Sequence, residues 1–572
     1  MKRTVAAALA AVLTLGSAVA TAIPATAAQD TNVTYTLGTN TEKGDCLAAT
    51  GGGTSTEPKV SIASKRTSTT GIRVVLGWQA NKNCFEIQYS TDANFKKNVV
   101  GVQRKAVKKQ PTDKEWGQTL TGLKDNTRYY VRVRTVDTNG KASKWSSSVN
   151  EATKARAPLA LTTSWKHTAA GNVQISWKHN GAYTKSIRLH VASSSFAQGK
   201  RGQNHQVFNL PANARSYTLT SADLKALGAP VGSGRVLRFR VEARNTGATE
   251  TRVKYSSGSA AAIVGQPLNK APKSATTLTI ASYNVTSASA NPSNKKWANR
   301  KKAVAQQIVN SKAGIVGVQE AITLKQGNST QIKQLLSEVK AAQKKKDKKV
   351  KWKLTRDTRY IKRGKPGGND GQRILYDSAK YKMVSKCKNT TGKGKNNDYS
   401  SSCTVKLPRV GAAKFQRFAQ VVQFEDKKTK QRFWVVNTHL EHRKGAKYDK
   451  NRDKQVATIL NHVKKVNKAN KPVFFLGDLN SSNKRAENLK TIDRLLKNGY
   501  IDSASAKKTK DIAYHTYNNW QKQKASPAKF GSRIDFILGK GKNVHFSQYT
   551  TVKNGYKASD HNLIKATVKF TD

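Results

Sequence analysis

Apolar and polar positions follow two different rhythms along this chain, and the change falls near its middle. Between about residues 57 and 155 the segments IRVVLGW, FEIQYS and YYVRVRTVD are short and largely alternating, with turn residues such as Asn139-Gly140 between them. A period of two in short, regularly spaced segments predicts the strands of a β-sandwich. VQISW, RSYTLTSADL and VLRFRVEARN, between 158 and about 262, repeat the rhythm and predict a second sandwich. Beyond the stretch GQPLNKAPKSATT the pattern changes: LTIASYNV, GIVGVQE, FWVVNTHL, PVFFLGDLN and RIDFILG read as strands. Between them lie helical spacings. WANRKKAVAQQIVNS is amphipathic, Ile332, Leu335, Leu336 and Val339 recur at i, i+3, i+4 and i+7, Val456, Ile459, Leu460 and Val463 do the same, and another helix runs through Leu489, Ile492 and Leu495. Strands alternating with helices predict an α/β unit.

The 572 residues suffice for several folded units. The first 28, MKRTVAAALAAVLTLGSAVATAIPATAA, combine a basic start, an apolar stretch and a small-residue end, which predicts a signal peptide and a secreted, extracellular protein. No later run is long and apolar enough to predict a transmembrane anchor. The expected organisation is signal peptide 1–28, leader 29–56, sandwiches 57–156 and 157–264, linker 265–276 and α/β unit 277–572. Cys46, Cys84, Cys387 and Cys403 allow three disulfide connectivities; proximity in an exported chain favours Cys46 with Cys84 and Cys387 with Cys403. Oligomeric state is not legible in the sequence.

A formal net charge of +69 implies attraction to polyanions, among which nucleic acid, anionic cell-wall polymer and anionic lipid all qualify. The lysine-rich stretch 344–353 and the insert CKNTTGKGKNNDYSSSC read as solvated surface, with phosphate binding the sharper alternative for the first.

What changes the picture is the residue at which each α/β strand stops. Asn284 closes SYNV, Glu320 closes GVQE, His439 closes NTHL, Asp478 and Asn480 close LGDLN, Asp535 lies in RIDFIL, and Asp560-His561 lie in SDH. One such residue is usually a turn former or cap. Acids, amides and histidines at successive strand ends instead predict a site where α/β proteins gather their chemistry. His442, His462 and His515 have no such motif and read as surface or core residues. Arg373 and Arg443 read equally as phosphate contacts or salt-bridge partners.

Both halves resemble known families. Trp78, Tyr89, Tyr129 within LTGLKDNTRYYVRVR, and Trp145 resemble the pattern of fibronectin type III domains, with Tyr129 in the tyrosine-corner place. The second repeat keeps Trp177 but has Leu237 at the position of Tyr129. From 277 to 572, QE, NTHL, GDLN and SDH, together with ILYDSAKY, the Arg452 and Gln455 of NRDKQ, and HTYNNW, resemble the endonuclease/exonuclease/phosphatase superfamily with its deoxyribonuclease I-like fold. The implied architecture is two fibronectin type III-like β-sandwiches followed by an α/β four-layer sandwich. The resemblance also implies roles: Glu320, with Asn284 and Asp560, binds Mg²⁺ (or Mn²⁺/Ca²⁺); His561, oriented by Asp535, is general base on water; Asp478 and Asn480 position water or phosphate; His439 contacts the phosphate or protonates the leaving oxygen. A histidine at 439 is a feature of the deoxyribonuclease I, sphingomyelinase and inositol-phosphatase branches.

The sequence thus predicts a secreted, metal-dependent phosphodiesterase, foremost a nuclease with nucleic acid as substrate. The alternatives are a sphingomyelinase-like or small phosphate-ester hydrolase and a non-catalytic surface-binding protein. The polar insert between Cys387 and Cys403 offers nothing to enter a bilayer, which disfavours the first. The acids and histidines all in place disfavour the second. DNA against RNA, endo against exo cleavage and the ligand of the fibronectin-like modules are not legible.

Overall fold

The computed structural model describes residues 33–35, 60–62, 68–77, 84–105, 115–136, 141–159, 161–179, 181, 183–193, 205–246, 251–256, 260–267, 274–289, 295–323, 325–356, 372–387, 403–411, 416–482, 489–526 and 529–572. The predicted signal peptide, Trp78, Cys46 and the insert 388–402 lie outside the described residues. Those described group into two compact units, one running up to Arg156 with residues 246–252 and the other formed by 157–245 and 253–572.

The first unit contains a three-stranded sheet (Val60–Ile62, Ile72–Gly77, Glu115–Leu120) and a five-stranded one that includes Cys84–Ser90 and Arg128–Val136. Alternation decides what is buried: Ile72, Val74, Phe85, Ile87, Val131 and Val133 share one core. Tyr129 is buried in it and its hydroxyl accepts from Lys124 N (2.9 Å), a bond to backbone a few residues upstream.

The second sandwich repeats the plan, with Trp177 buried and its Nε1 donating to Ala214 O (2.9 Å). Leu237 packs in the same core as Phe239 and Val241. This sandwich and the α/β part belong to one unit, and the predicted linker is anchored at its start: Gln266 N donates to Ser505 O (3.2 Å) and Gln266 Oε1 accepts from Phe546 N (3.2 Å).

The α/β part has four layers. Five strands carry the site: β1 (Thr276–Asn284), β2 (Ile315–Gln319), β3 (Arg432–His439), β4 (Val473–Asp478) and β5 (Asp535–Lys540). β1 and β2 are neighbours in one seven-stranded sheet, and β3, β4 and β5 run side by side in another. Three apolar cores mark the layering. Helices Trp297–Asn310 and Gln331–Lys344 bury Val304, Ile308, Ile332, Leu335 and Val339 on the first sheet; Ala446–Val466 and Leu489–Lys497 cover the second; and Leu278, Ile280, Phe424, Phe433, Phe474 and Leu476 fill the space between the sheets. The four-layer sandwich expected from the sequence is present.

One polar bridge crosses that apolar middle. Asn437 Nδ2 donates to Val318 O (2.9 Å) and Arg373 O (2.8 Å), and its Oδ1 accepts from Gln319 Nε2 (2.7 Å). Asn437 therefore keys the second sheet to one register on the first, since a one-residue slip would leave these buried groups unpaired. Gly317 makes room, because a Cβ there would lie 2.8 Å from Asn437 Oδ1. Cys387 and Cys403 form a disulfide and Cys84 is disulfide-bonded. Among the described residues no helix is long and apolar enough to cross a membrane.

Candidate active site

Strand polarity gathers the predicted residues. β1 and β2 are parallel, as are β3 and β4, and contact between Asn284 and Asp478 puts the ends of both pairs at the same edge; β5 is antiparallel to β4 and starts there. In register His439 faces Asp478, and Asp478 faces Asp535. His561 lies just before the strand Ile564–Phe570, which pairs with β1.

Local backbone turns these ends into a site. Gly477 has φ +147° and a Cβ there would collide with Thr438 O, so only glycine lets β4 lie this close to β3 just before Asp478. Glu320 (φ +59°) and Asn480 (φ +49°) are left-handed residues that stop their strands abruptly. Such strain in non-glycine residues is common where function holds it in place.

Asn284 Nδ2 donates to Glu320 Oε1 and to Asp478 Oδ2 (both 3.1 Å), tying the two sheets together at the site. Glu320 Oε2 accepts from Ser287 N (2.8 Å). Asp478 Oδ1 accepts from Asn480 N (2.9 Å), while its Oδ2 lies 3.5 Å from His439 Nε2 and 3.7 Å from His561 Nε2. His561 Nδ1 is 2.9 Å from Asp535 Oδ2. Asp560 Oδ1 accepts from Thr286 Oγ1 and from Ser559 Oγ (3.4 Å).

These contacts set opposite charge states on the two histidines. Burial, with Arg417 next to it, holds His439 well below the ordinary imidazole range. Burial also works against a charged His561, but Asp535, Asp478 and Asp560 outweigh it and push it up to about 10. Asp478 is pushed up to about 7 by burial and by Asp535 beside it.

All the predicted residues except Asn284 and Asp535 line one cleft of about 840 Å³, whose walls also carry Ser287, Arg417, Arg443, Lys444 and Tyr517. His442 and His515, read from sequence as surface or core residues, also line it, His442 from an exposed position and His515 from a half-buried one. Arg417 was missed: its guanidinium donates to His439 Nδ1 and to His442 Nδ1 (both 3.2 Å). Nothing near it in sequence marks it, because both partners lie more than twenty residues away. Thr286 was missed for the same reason, since its hydroxyl meets Ser559 and Asp560 from far along the chain. Arg443 forms a bidentate pair with Glu441 (2.9 and 3.0 Å), whereas Arg373 is buried in its strand and does not line the cleft. Arg452 and Gln455 hold the turn after β3: Arg452 Nη1 donates to Glu441 O (2.7 Å) and Arg443 O (2.8 Å), and Gln455 Oε1 accepts from Glu441 N (3.0 Å).

The donor set suits a hard divalent cation. Glu320 and Asp560 both present carboxylates to the cleft, and oxygen ligands are what Mg²⁺, Mn²⁺ and Ca²⁺ take. Asn284 fits the ligand set less directly, since its amide nitrogen faces the carboxylates while its Oδ1 accepts from Thr286 N (3.1 Å). A second grouping, Asp478, Asp535 and His561, brings one ligating atom each within 4.8 Å of one another, but a cation there would compete with the His561–Asp535 hydrogen bond.

Two sheets packed face to face between helices gather acids and histidines at one edge, a set of groups suited to metal-dependent hydrolysis of a phosphoester. Residues 281–561 match the profile of the Endonuclease/Exonuclease/phosphatase family, and this part of the chain is a domain of that family. Among solved structures it is similar to an endonuclease/exonuclease/phosphatase family protein from Bacteroides thetaiotaomicron (20% identity, 52% of this chain and 98% of that one, TM-score 0.38). It is also similar to a mannosyl-6-phosphatase from the same organism (20% identity, 51% and 100%, TM-score 0.38) and to the human Nocturnin catalytic domain (15% identity, 53% and 97%, TM-score 0.36). A search of the curated proteins finds no match to the chain.

Proposed function

We propose that this protein is a secreted, divalent-metal-dependent phosphodiesterase that hydrolyses nucleic acid. The observation that carries the reading is the convergence of Glu320, His439, Asp478, Asn480, Asp560 and His561 on one cleft bordered by Arg417, Arg443 and Lys444. The net charge of +69 supports a polyanionic substrate, and the N-terminal sequence supports export. The two sandwiches are read as fibronectin type III-like modules, a reading supported in the first by the Tyr129 contact.

In this reading His561 is the general base. Its Nδ1 is held by Asp535, which fixes the ring and leaves Nε2 to face the cleft and take a proton from water. Asn480 and Asp478 position the water and a phosphoryl oxygen, and the imidazole of His439 stands on the other side of Asp478, 3.5 Å from it, to meet the phosphate or the leaving oxygen. Glu320 and Asp560 would hold the cation, with Asn284 orienting Glu320. When bound, a divalent cation supplies positive charge to the phosphoryl oxygens and offsets the carboxylate field that keeps His561 protonated.

Incubation of the protein with supercoiled plasmid and Mg²⁺ tests this. Nicking abolished by EDTA, and lowered by about 10²- to 10⁴-fold in His561→Ala, is the expected result. Intact plasmid and RNA under every metal condition, with hydrolysis of a small phosphate ester or sphingomyelin, would replace the nuclease reading; inactivity toward all of them would leave a binding protein.

A further inference from the structure

The turn Gly228–Arg235 of the second sandwich lies against the α/β part next to the residues that carry Asp535. Gly232 O accepts from Asp502 N (2.9 Å), Gly234 O accepts from Arg533 Nη2 (3.2 Å), and Arg235 pairs with Asp493. Arg533 is buried, grips both carboxylate oxygens of Asp502 (2.9 and 2.8 Å), and lies over the ring of Phe536 at 4.9 Å. Gly234 has φ +56°, and a Cβ there would stand 3.1 Å from both Asp502 Cγ and Ser505 N, so the approach needs glycine. Beneath the turn the apolar packing is continuous: Ala261 and Ile263 share a core with Phe530, Phe546 and Ile564, and the rings of Trp165 and Phe530 are 6.3 Å apart.

Arg533 stands two residues before Asp535. Asp535 Oδ1 has no hydrogen-bond partner among the described residues, so the carboxylate's direction is set by its bond to His561 and by its backbone. That backbone is held by Thr516 Oγ1, which accepts from Ile534 N (3.0 Å) and Asp535 N (3.2 Å), and just upstream by Arg533.

We propose that the second sandwich is a positioning element of the active site: its Gly232–Arg235 turn locks the Arg533–Asp502 pair and thereby sets where Asp535 holds His561. The inference rests on the reading of His561 and Asp535 as base and orienting acid. It assigns positioning roles to Gly234, Asp502 and Arg533, none of which touches the cleft. The sandwich is then a working part of the catalytic body rather than a spacer.

The test uses the full chain in three variants: Gly234→Ala, which wedges the turn away; Arg533→Lys, which keeps the charge but loses the two-pronged grip; and Asp493→Asn, which removes an ion pair from the same contact without touching Arg533. Plasmid nicking gives kcat and KM, and the Nδ1–H resonance of His561 is followed in metal-free, ¹⁵N-histidine-labelled protein. Gly234→Ala and Arg533→Lys are expected to lower kcat about tenfold with KM within about twofold, and to shift the resonance, while Asp493→Asn leaves all three unchanged. Wild-type kcat and an unmoved resonance in the folded variants would overturn the proposal, as would an equal loss of kcat in Asp493→Asn. Should Gly234→Ala fail to fold, Arg533→Lys decides. If the wild-type chain cuts no phosphodiester, that failure belongs to the functional reading and the resonance alone decides the positioning role.

Discussion

Two imidazoles share Asp478 Oδ2, yet one is held by an arginine and the other by an aspartate. In metal-free protein His561, raised to about 10 from the ordinary 6.5, keeps a proton that the unfolded chain has lost. Its stabilising effect is therefore complete below about pH 6.5 and disappears as pH rises through 10, at up to about 1.4 kcal/mol per pH unit. Asp478, raised to about 7 from 3.8, acts with the same sign across a lower window. Asp535→Asn removes the main attraction on His561. The stability gap between wild type and this variant, from urea unfolding in EDTA, should narrow as pH rises from about 6.5 to about 10; a constant gap would show that His561 carries no extra proton. At this scale the sequence was informative where a residue ends a strand, as Glu320, His439 and Asp478 do. It was silent on Arg417 and Thr286, whose side-chain partners come from distant segments and leave no local pattern.

At the scale of the element, the apolar run PVFFL followed by GDLN reads as a buried strand emerging at a site, and β4 is that strand, buried throughout. Helical spacings were equally legible, since Ile332, Leu335 and Val339 had to share a face. The meaning of Gly477 was not: in sequence it looks like the start of a turn, whereas it still belongs to β4 and its missing side chain lets Thr438 O approach. Gly477→Ala should destabilise the protein by about 4 kcal/mol or prevent folding, measured by chemical unfolding; Gly445→Ala, at a positive-φ position with open space around it, should cost about 1 kcal/mol. Equal losses would mean that backbone angle alone, and not contact with Thr438, constrains residue 477.

At the scale of the whole molecule, charge is the most legible property and the least specific. If phosphate contacts drive substrate capture, kcat/KM on DNA or RNA should fall at least tenfold between about 50 and 200 mM salt, while cleavage of a small uncharged-tail diester should change far less. Identical salt responses for both substrates would remove the argument from charge. The order of sandwiches and α/β part was readable from the change of rhythm, because periodicity is a local property. The docking of the second sandwich was not, because its contacts join Gly232–Arg235 to residues more than 250 positions away.

Those same contacts redefine which piece of this protein is portable. A cut at residue 277, where sequence rhythm changes, severs Gln266 from Phe546 and Ser505, strips Gly234 from Arg533, and opens Phe530 and Ile501 to water. A fusion or transplanted enzyme carrying the chemistry intact would have to begin near residue 157, so the smallest cassette that can be moved as a piece is a sandwich and an α/β part together.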